Sequence, residues 1–137
     1  MLYAYEIKET QEGFVGYVSD LDFSTKPQKT FEDAENVLTD AFLAYIEVVY
    51  RKNRKPIPLP KTSCEGKMAL YIPIRMQLRF LLWNTMLEQN LKQTEMAEKL
   101  GISKAQMNQM LCGKGSTSES KYEDALRVLG KTPNVVI

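Results

Sequence analysis

The sequence contains no histidine and only two cysteines, Cys64 and Cys112, among 137 residues. Without histidine there is no ordinary general base, and no Ser-His or Cys-His nucleophile pair. A zinc site wants four nitrogen or sulfur ligands at short spacings, and two isolated cysteines cannot supply them. No metal and no cofactor are therefore expected, and the chain is not read as an enzyme. In a reducing compartment the two thiols are expected to stay free. Long apolar runs are also missing: none approaches the roughly 20 residues of a membrane span. Met1 to Ile7 lacks the basic start and apolar stretch of a secretory signal. The expectation is a cytoplasmic protein with no membrane partner.

The length suffices for one ordinary domain or two very small ones. A hydrophobic share of 44% is normal for a folded chain. The net charge of +1 hides a division. Residues 1–67 carry nine Lys/Arg against eleven Asp/Glu, whereas residues 68–137 carry nine against six. The sign suits a C-terminal part that meets phosphate and an N-terminal part that meets something basic.

Along the chain, Leu2 to Glu9 alternates: Tyr3, Tyr5 and Ile7 fall on one face, Glu6 and Lys8 on the other. That is the period of a half-buried strand. Gln11-Glu12-Gly13 reads as a turn and Phe14 to Val18 as a second strand, which together make a hairpin. Ser19 to Asp22 ends it, and a short third strand is expected from Phe23 to Pro27. Thr30 then stands as an N-cap, with Asp33 three residues on as its capping-box partner. Phe31, Ala34, Val37, Leu38, Ala41, Phe42, Tyr45, Val48 and Val49 follow at helical spacing, and the helix is expected to end near Arg51. The basic run Arg51-Lys52-Asn53-Arg54-Lys55 reads as a solvated helix end placed well on the dipole, in preference to a phosphate contact. Three prolines make Pro56 to Pro60 an extended connector. Met68 to Ile74 is expected to return to the sheet as a fourth strand. The boundary falls near Pro73, giving an N-terminal domain 1–72, with its connector at 53–67, and a C-terminal domain 73–137.

From Arg75 the period is helical. Met76, Leu78, Phe80 to Trp83, Met86 and Leu87 make a strongly apolar helix ending near Asn90. The informative stretch is Gln93 to Leu111. Ala97 is small where two helices must approach. Gly101 stands where a helix must stop with positive φ, which glycine adopts without penalty. Ile102 is expected to plug the angle between the helices. Ser103 caps the next helix, with Gln106 as its capping-box partner. Met107, Met110 and Leu111 face inward, which leaves Lys104, Ala105, Gln106, Asn108 and Gln109 on the outer face. Such a face suits a DNA major groove: Gln and Asn can pair with an adenine edge, Lys with guanine or phosphate, and Ala with a thymine methyl. Gln93 and Thr94 begin the preceding helix, whose amides and dipole favour a phosphate. Lys114 and Lys121 lie beyond the reading helix in reach of the backbone. The plain alternative is an ordinary helical hairpin. The combined spacing of Gln93, Ala97, Gly101, Ile102 and Met107 favours a helix-turn-helix, and the segment resembles the phage-repressor class of such domains, including a following helix around Tyr122 to Leu129.

Taken in order, the hairpin, Asp20-Leu21 after the second strand, Thr30 to Ala34 opening a helix, the Ile57-Pro58-Leu59-Pro60 connector and the C-terminal helix-turn-helix resemble HicB antitoxins over nearly the full length. The sequence departs from that family at Ser19, where a proline is usual, and at Asp22-Phe23, where a glycine soon follows the leucine. The resemblance implies an α+β chain: a truncated RNase-H-like βββαβ unit followed by an all-α helix-turn-helix domain. It implies that the N-terminal unit neutralises a small mRNA-cleaving HicA toxin, and that the C-terminal domain represses the toxin–antitoxin operon on double-stranded operator DNA, as a homodimer or higher homo-oligomer.

Asp20 and Asp22 share a face if the strand continues, with Glu6 as a possible neighbour across the sheet. Two-metal chemistry needs more converging carboxylates than this, so a solvated turn is preferred to catalysis. A third reading puts Asp20 and Asp22 against a basic surface of the toxin. The C-terminal Val135, Val136 and Ile137 are expected to form a short strand, pairing with a second copy or packing under the helices. Two other functions stay open: a metal-dependent RNase-H-like nuclease with a DNA-binding domain, and a stand-alone repressor whose N-terminal domain senses a small molecule.

Overall fold

The structure is a computed structural model that describes residues 1–113 and 117–132. It divides into two compact units, Met1–Val49 with Pro58–Ile72, and Tyr50–Ile57 with Pro73–Ile137. The α+β layout expected from the sequence is borne out: a four-stranded sheet near the N-terminus precedes a series of helices.

In the first unit, β1 (Leu2–Thr10) and β2 (Gly13–Val18) form the hairpin, and β3 (Phe23–Ser24) pairs beside β2. Helix α1 (Phe31–Ile46) follows, and β4 (Met68–Tyr71) then pairs with the free edge of β1. The order is β3-β2-β1-β4 and every pairing is antiparallel. The third strand is shorter than expected. Beyond Ser24, the Thr25 amide bonds to the Gly16 carbonyl at 2.8 Å and an isolated bridge joins Phe14 to Gln28.

Helix α1 starts as its cap predicts, with the Thr30 hydroxyl accepting the Asp33 amide at 3.0 Å. Its buried stripe is Ala34, Leu38, Phe42 and Ile46, at intervals of four residues. Of the apolar positions at helical spacing, Phe31 and Val48 are exposed, at 42% and 55%, whereas Ile46 is buried. The reason is the strict four-residue spacing: Phe31 in the first turn lies three residues before Ala34 and off that stripe, and Val48 falls in the π-helical turn (Glu47–Arg51) that continues α1 and shifts the faces. Phe42 meets Tyr3 edge-on at 5.0 Å between ring centres and Phe23 at 5.8 Å. Such pairs add to simple area burial.

The second unit contains α2 (Ile74–Glu88), α3 (Gln93–Leu100), α4 (Lys104–Cys112) and α5 (Glu119–Val128). Helix α2 is buried on most of its circumference, as its apolar composition requires. Asn90, at φ 54, ends it in left-handed conformation, and the Leu91 amide bonds back to the Met86 carbonyl. Met96, Ala97, Met107, Met110, Leu111, Tyr122, Ala125 and Leu126 complete the core. Five methionines in this core, counting Met76 and Met86, suit a small bundle, because unbranched side chains fill irregular gaps between short helices.

Candidate nucleic-acid interface

Helices α3 and α4 are held by the devices the sequence announces. Gly101 terminates α3 at φ 66 and nothing lies near its missing β-carbon, so backbone conformation alone explains the glycine. The Ile102 amide then bonds to the Ala97 carbonyl. Ser103 and Gln106 form a reciprocal capping box: Ser103 Oγ accepts the Gln106 amide at 3.1 Å, and Gln106 Oε1 accepts the Ser103 amide at 2.9 Å. Ala97 is buried between helices and Ile102 only half-buried.

On α4, Met107, Met110 and Leu111 are buried, while Lys104, Ala105, Asn108 and Gln109 are exposed. Gln106 is exposed too, but its carbonyl oxygen is committed to the cap. Only its NH₂ remains for an outside partner, so a two-point adenine contact from Gln106 would break the capping box. Gln109 and Lys121 border one surface hollow of about 270 Å³, which brings Lys121 of α5 beside the exposed face of α4. Lys114 lies outside the described residues, as do Val135, Val136 and Ile137.

The far end of α4 is fixed from two sides. The Tyr122 hydroxyl donates to the Met110 carbonyl at 2.6 Å, and burial pushes that phenol above its ordinary pKa. Gly113 caps the helix at φ 73, with the buried guanidinium of Arg79 where its β-carbon would go. Nothing in the spacing of α2 singled out Arg79; the available signal was a cation flanked by Leu78 and Phe80 in the apolar stretch of the helix.

At the start of α3, Gln93 is half-buried and Thr94 exposed. Gln93 Oε1 faces Arg51 Nη1 at 3.4 Å, and Arg54 Nη2 donates to the Leu91 carbonyl at 3.3 Å. The basic run expected as a solvated helix end is thus partly docked onto this unit. The physical cause lies on α2: Asn84 and Trp83 bind the backbone at 55–57 and draw the run with it.

The other predicted site residues are in the first unit. Asp20 accepts the Lys61 amide at 3.0 Å, the Thr62 amide at 3.2 Å and the Thr62 hydroxyl at 2.5 Å. Burial alone would raise its carboxyl. The Thr62 hydroxyl, the two amides and the Lys61 charge outweigh that and hold it below the ordinary value. Asp22 is exposed, sits at φ 49 and accepts the Tyr17 hydroxyl at 3.0 Å, which together with slight burial raises the Tyr17 phenol. Asp22 thus adopts the left-handed conformation for which a glycine is the usual choice. Glu6 pairs instead with Lys8 at 3.7 Å. The two aspartates bond to different partners, and among the described residues no three Cys, Asp or Glu side chains converge as a metal site would require.

Comparison with known proteins bears on both units at once. The chain is 26% identical over 131 residues to Antitoxin HicB 2 of Photorhabdus laumondii, an alignment covering 96% of this chain and 92% of that protein. The chain is similar to a HicB antitoxin along almost its whole length. The HicB resemblance read from the order of sequence features is thereby borne out. No protein-family model matches the chain. Among the described residues no helix is long and apolar enough to cross a membrane.

Proposed function

We propose that this protein is an antitoxin with two working parts: the sheet-bearing unit binds and neutralises a small HicA-like toxin, and the helical unit represses the operon by binding its operator. The observation that carries the reading is the outer face of α4. Lys104, Ala105, Asn108 and Gln109 are exposed together on a short helix whose opposite face is wholly buried and whose two ends are capped. Rigid presentation of a few polar side chains is what base readout in a major groove demands. The near full-length similarity to Antitoxin HicB 2 supplies the antitoxin part of the reading.

In this scheme α4 lies in the groove, Gln109 and Asn108 contact base edges, and Lys104 reaches guanine or phosphate. Thr94 and the first amides of α3 approach the sugar-phosphate backbone, which sets register. Two copies would bring two reading helices to half-sites about 34 Å apart on one side of the duplex. The protein acts as a regulator, cytoplasmic and without a cofactor. The nuclease reading has less support, because Asp20 already binds three groups of its own chain and Asp22 bonds to Tyr17.

Two measurements test it. Co-expression with the small open reading frame beside the gene should suppress that product's toxicity and co-purify the two chains. A duplex from upstream of the operon should bind the full chain more tightly than unrelated duplex at the same salt concentration. A neighbour that neither co-purifies nor loses toxicity would overturn the antitoxin part, and equal affinity for both duplexes the operator part.

A further inference from the structure

The segment Tyr50–Ile57 belongs to the helical unit, although the chain passes through it before β4 is formed. Its attachments are specific. Asn84 on α2 donates from Nδ2 to the Ile57 carbonyl at 2.9 Å and accepts the Ile57 amide on Oδ1 at 2.7 Å. Trp83 Nε1 donates to the Lys55 carbonyl at 3.0 Å. Arg54 takes a left-handed conformation at φ 52, which turns the chain, and its guanidinium stands 5.8 Å from the centre of the Trp83 ring. The Lys55 amide closes the turn on the Tyr50 carbonyl at 2.8 Å.

This turn carries four cations in five residues: Arg51, Lys52, Arg54 and Lys55. Arg51 and Arg54 reach Gln93 and Leu91, the residues on either side of Lys92, which precedes α3. Lys52, Arg54, Lys55 and Lys92 are all exposed, and none forms an ion pair among the described residues. Two acidic side chains flank Lys92 in sequence, and each has a partner within the helical unit. Glu95 accepts the Lys92 amide at 3.2 Å, and Glu88 faces Lys131 at 3.8 Å. The result is a surface rich in positive charge beside the start of α3, with Glu88 bordering the same hollow as Arg54.

We infer that this turn is a second phosphate-binding element of the DNA interface, with Lys52, Arg54 and Lys55 gripping the sugar-phosphate backbone that flanks the sequence read by α4. The inference rests on the proposed operator binding and adds to it a contact drawn from outside the four-helix region. The partner is the regularly spaced polyanion of duplex DNA, because four cations stand within five residues of the turn and three of them are exposed. The contact carries no base information. It adds affinity to every sequence alike and sets how the reading helix is seated. Docking on Trp83 and Asn84 holds the turn in place, so less of it has to be ordered on binding.

The test is the salt dependence of binding by the full chain to a duplex from upstream of its operon, compared with the Lys52→Ala/Lys55→Ala variant. Neither lysine side chain makes a hydrogen bond or ion pair among the described residues, and circular dichroism and thermal unfolding should match wild type. Each lost phosphate contact lowers the slope of log K against log salt by about 0.9. A reduction of about 1 to 2 in that slope is expected, with specific and unrelated duplexes weakened by the same factor. An unchanged slope overturns the inference, as does weakened capture of the co-expressed toxin with DNA binding intact, which would assign the turn to the protein partner. Wild-type protein that binds both duplexes equally, or neither, overturns instead the operator reading on which the inference rests.

Discussion

Asn84 holds both backbone polar groups of Ile57, accepting its amide and donating to its carbonyl, as a neighbouring strand would. A side-chain amide carries its donor and acceptor side by side, which suits the amide and carbonyl of one residue. Asn84→Leu fills similar space and leaves both groups without their partner. A loss of about 2–4 kcal/mol is expected from chemical denaturation, since each unsatisfied group costs roughly 1–3 kcal/mol. Asn84→Asp keeps the acceptor alone and should fall between. A leucine variant as stable as wild type would show that water replaces the clamp.

Asp20 gives the first unit an acid-sensitive joint. Its carboxyl is held below the ordinary value by Thr62 and Lys61 in excess of what burial does in the other direction. A depressed aspartate contributes stability that is complete above its unfolded-state value of about 3.9 and is lost as pH falls towards the folded-state value. Unfolding midpoints should therefore drop below about pH 4, and Asp20→Asn should flatten that part of the profile while lowering stability at neutral pH. Parallel profiles for the two proteins would remove Asp20 as the cause.

The two glycines that end α3 and α4 should respond differently to alanine. Gly101→Ala meets empty space, so its cost is that of a left-handed alanine, about 1–2 kcal/mol. At Gly113 the same strain is joined by collision with the Arg79 guanidinium, and overpacking adds about 1–3 kcal/mol. Differential scanning calorimetry should rank Gly113→Ala clearly below Gly101→Ala. The reverse order would mean that Arg79 moves aside freely.

Gln106 and Gln109 lie on the same exposed face but are expected to report different things. Gln109→Ala should weaken operator binding by about 1–3 kcal/mol, as loss of a two-point base contact does, and leave melting temperature and toxin capture unchanged. Gln106→Ala removes half of the capping box and should lower stability by about 0.5–2 kcal/mol. Electrophoretic mobility shifts read beside thermal melts separate the two. A Gln106 variant of full stability that fails only in DNA binding would reassign that residue to base readout.

Local chemistry made much of this legible. The Ser103–Gln106 box, the Thr30 cap, the stop at Gly101 and the inward Met107, Met110 and Leu111 each depend on a few neighbouring residues, and each is present in the structure. Residue order likewise announced the hairpin, the α+β layout and the family resemblance.

Tertiary structure decided what depends on residues far apart in the chain. The sequence around Asp20 shows an acidic turn; only folding brings Thr62 to it, 42 positions away, and turns a free carboxylate into a structural acceptor. The basic run at 51–55 looks like any solvated helix end until Trp83 and Asn84, about 27 residues on, bind its backbone and carry it to the start of α3. Spacing rules capture interactions within a turn or two of helix or strand. Hydrogen bonds closed across long loops leave no periodic trace, and so the sequence announced the caps and inward face of α4 while the fold determined which charges stand beside α3.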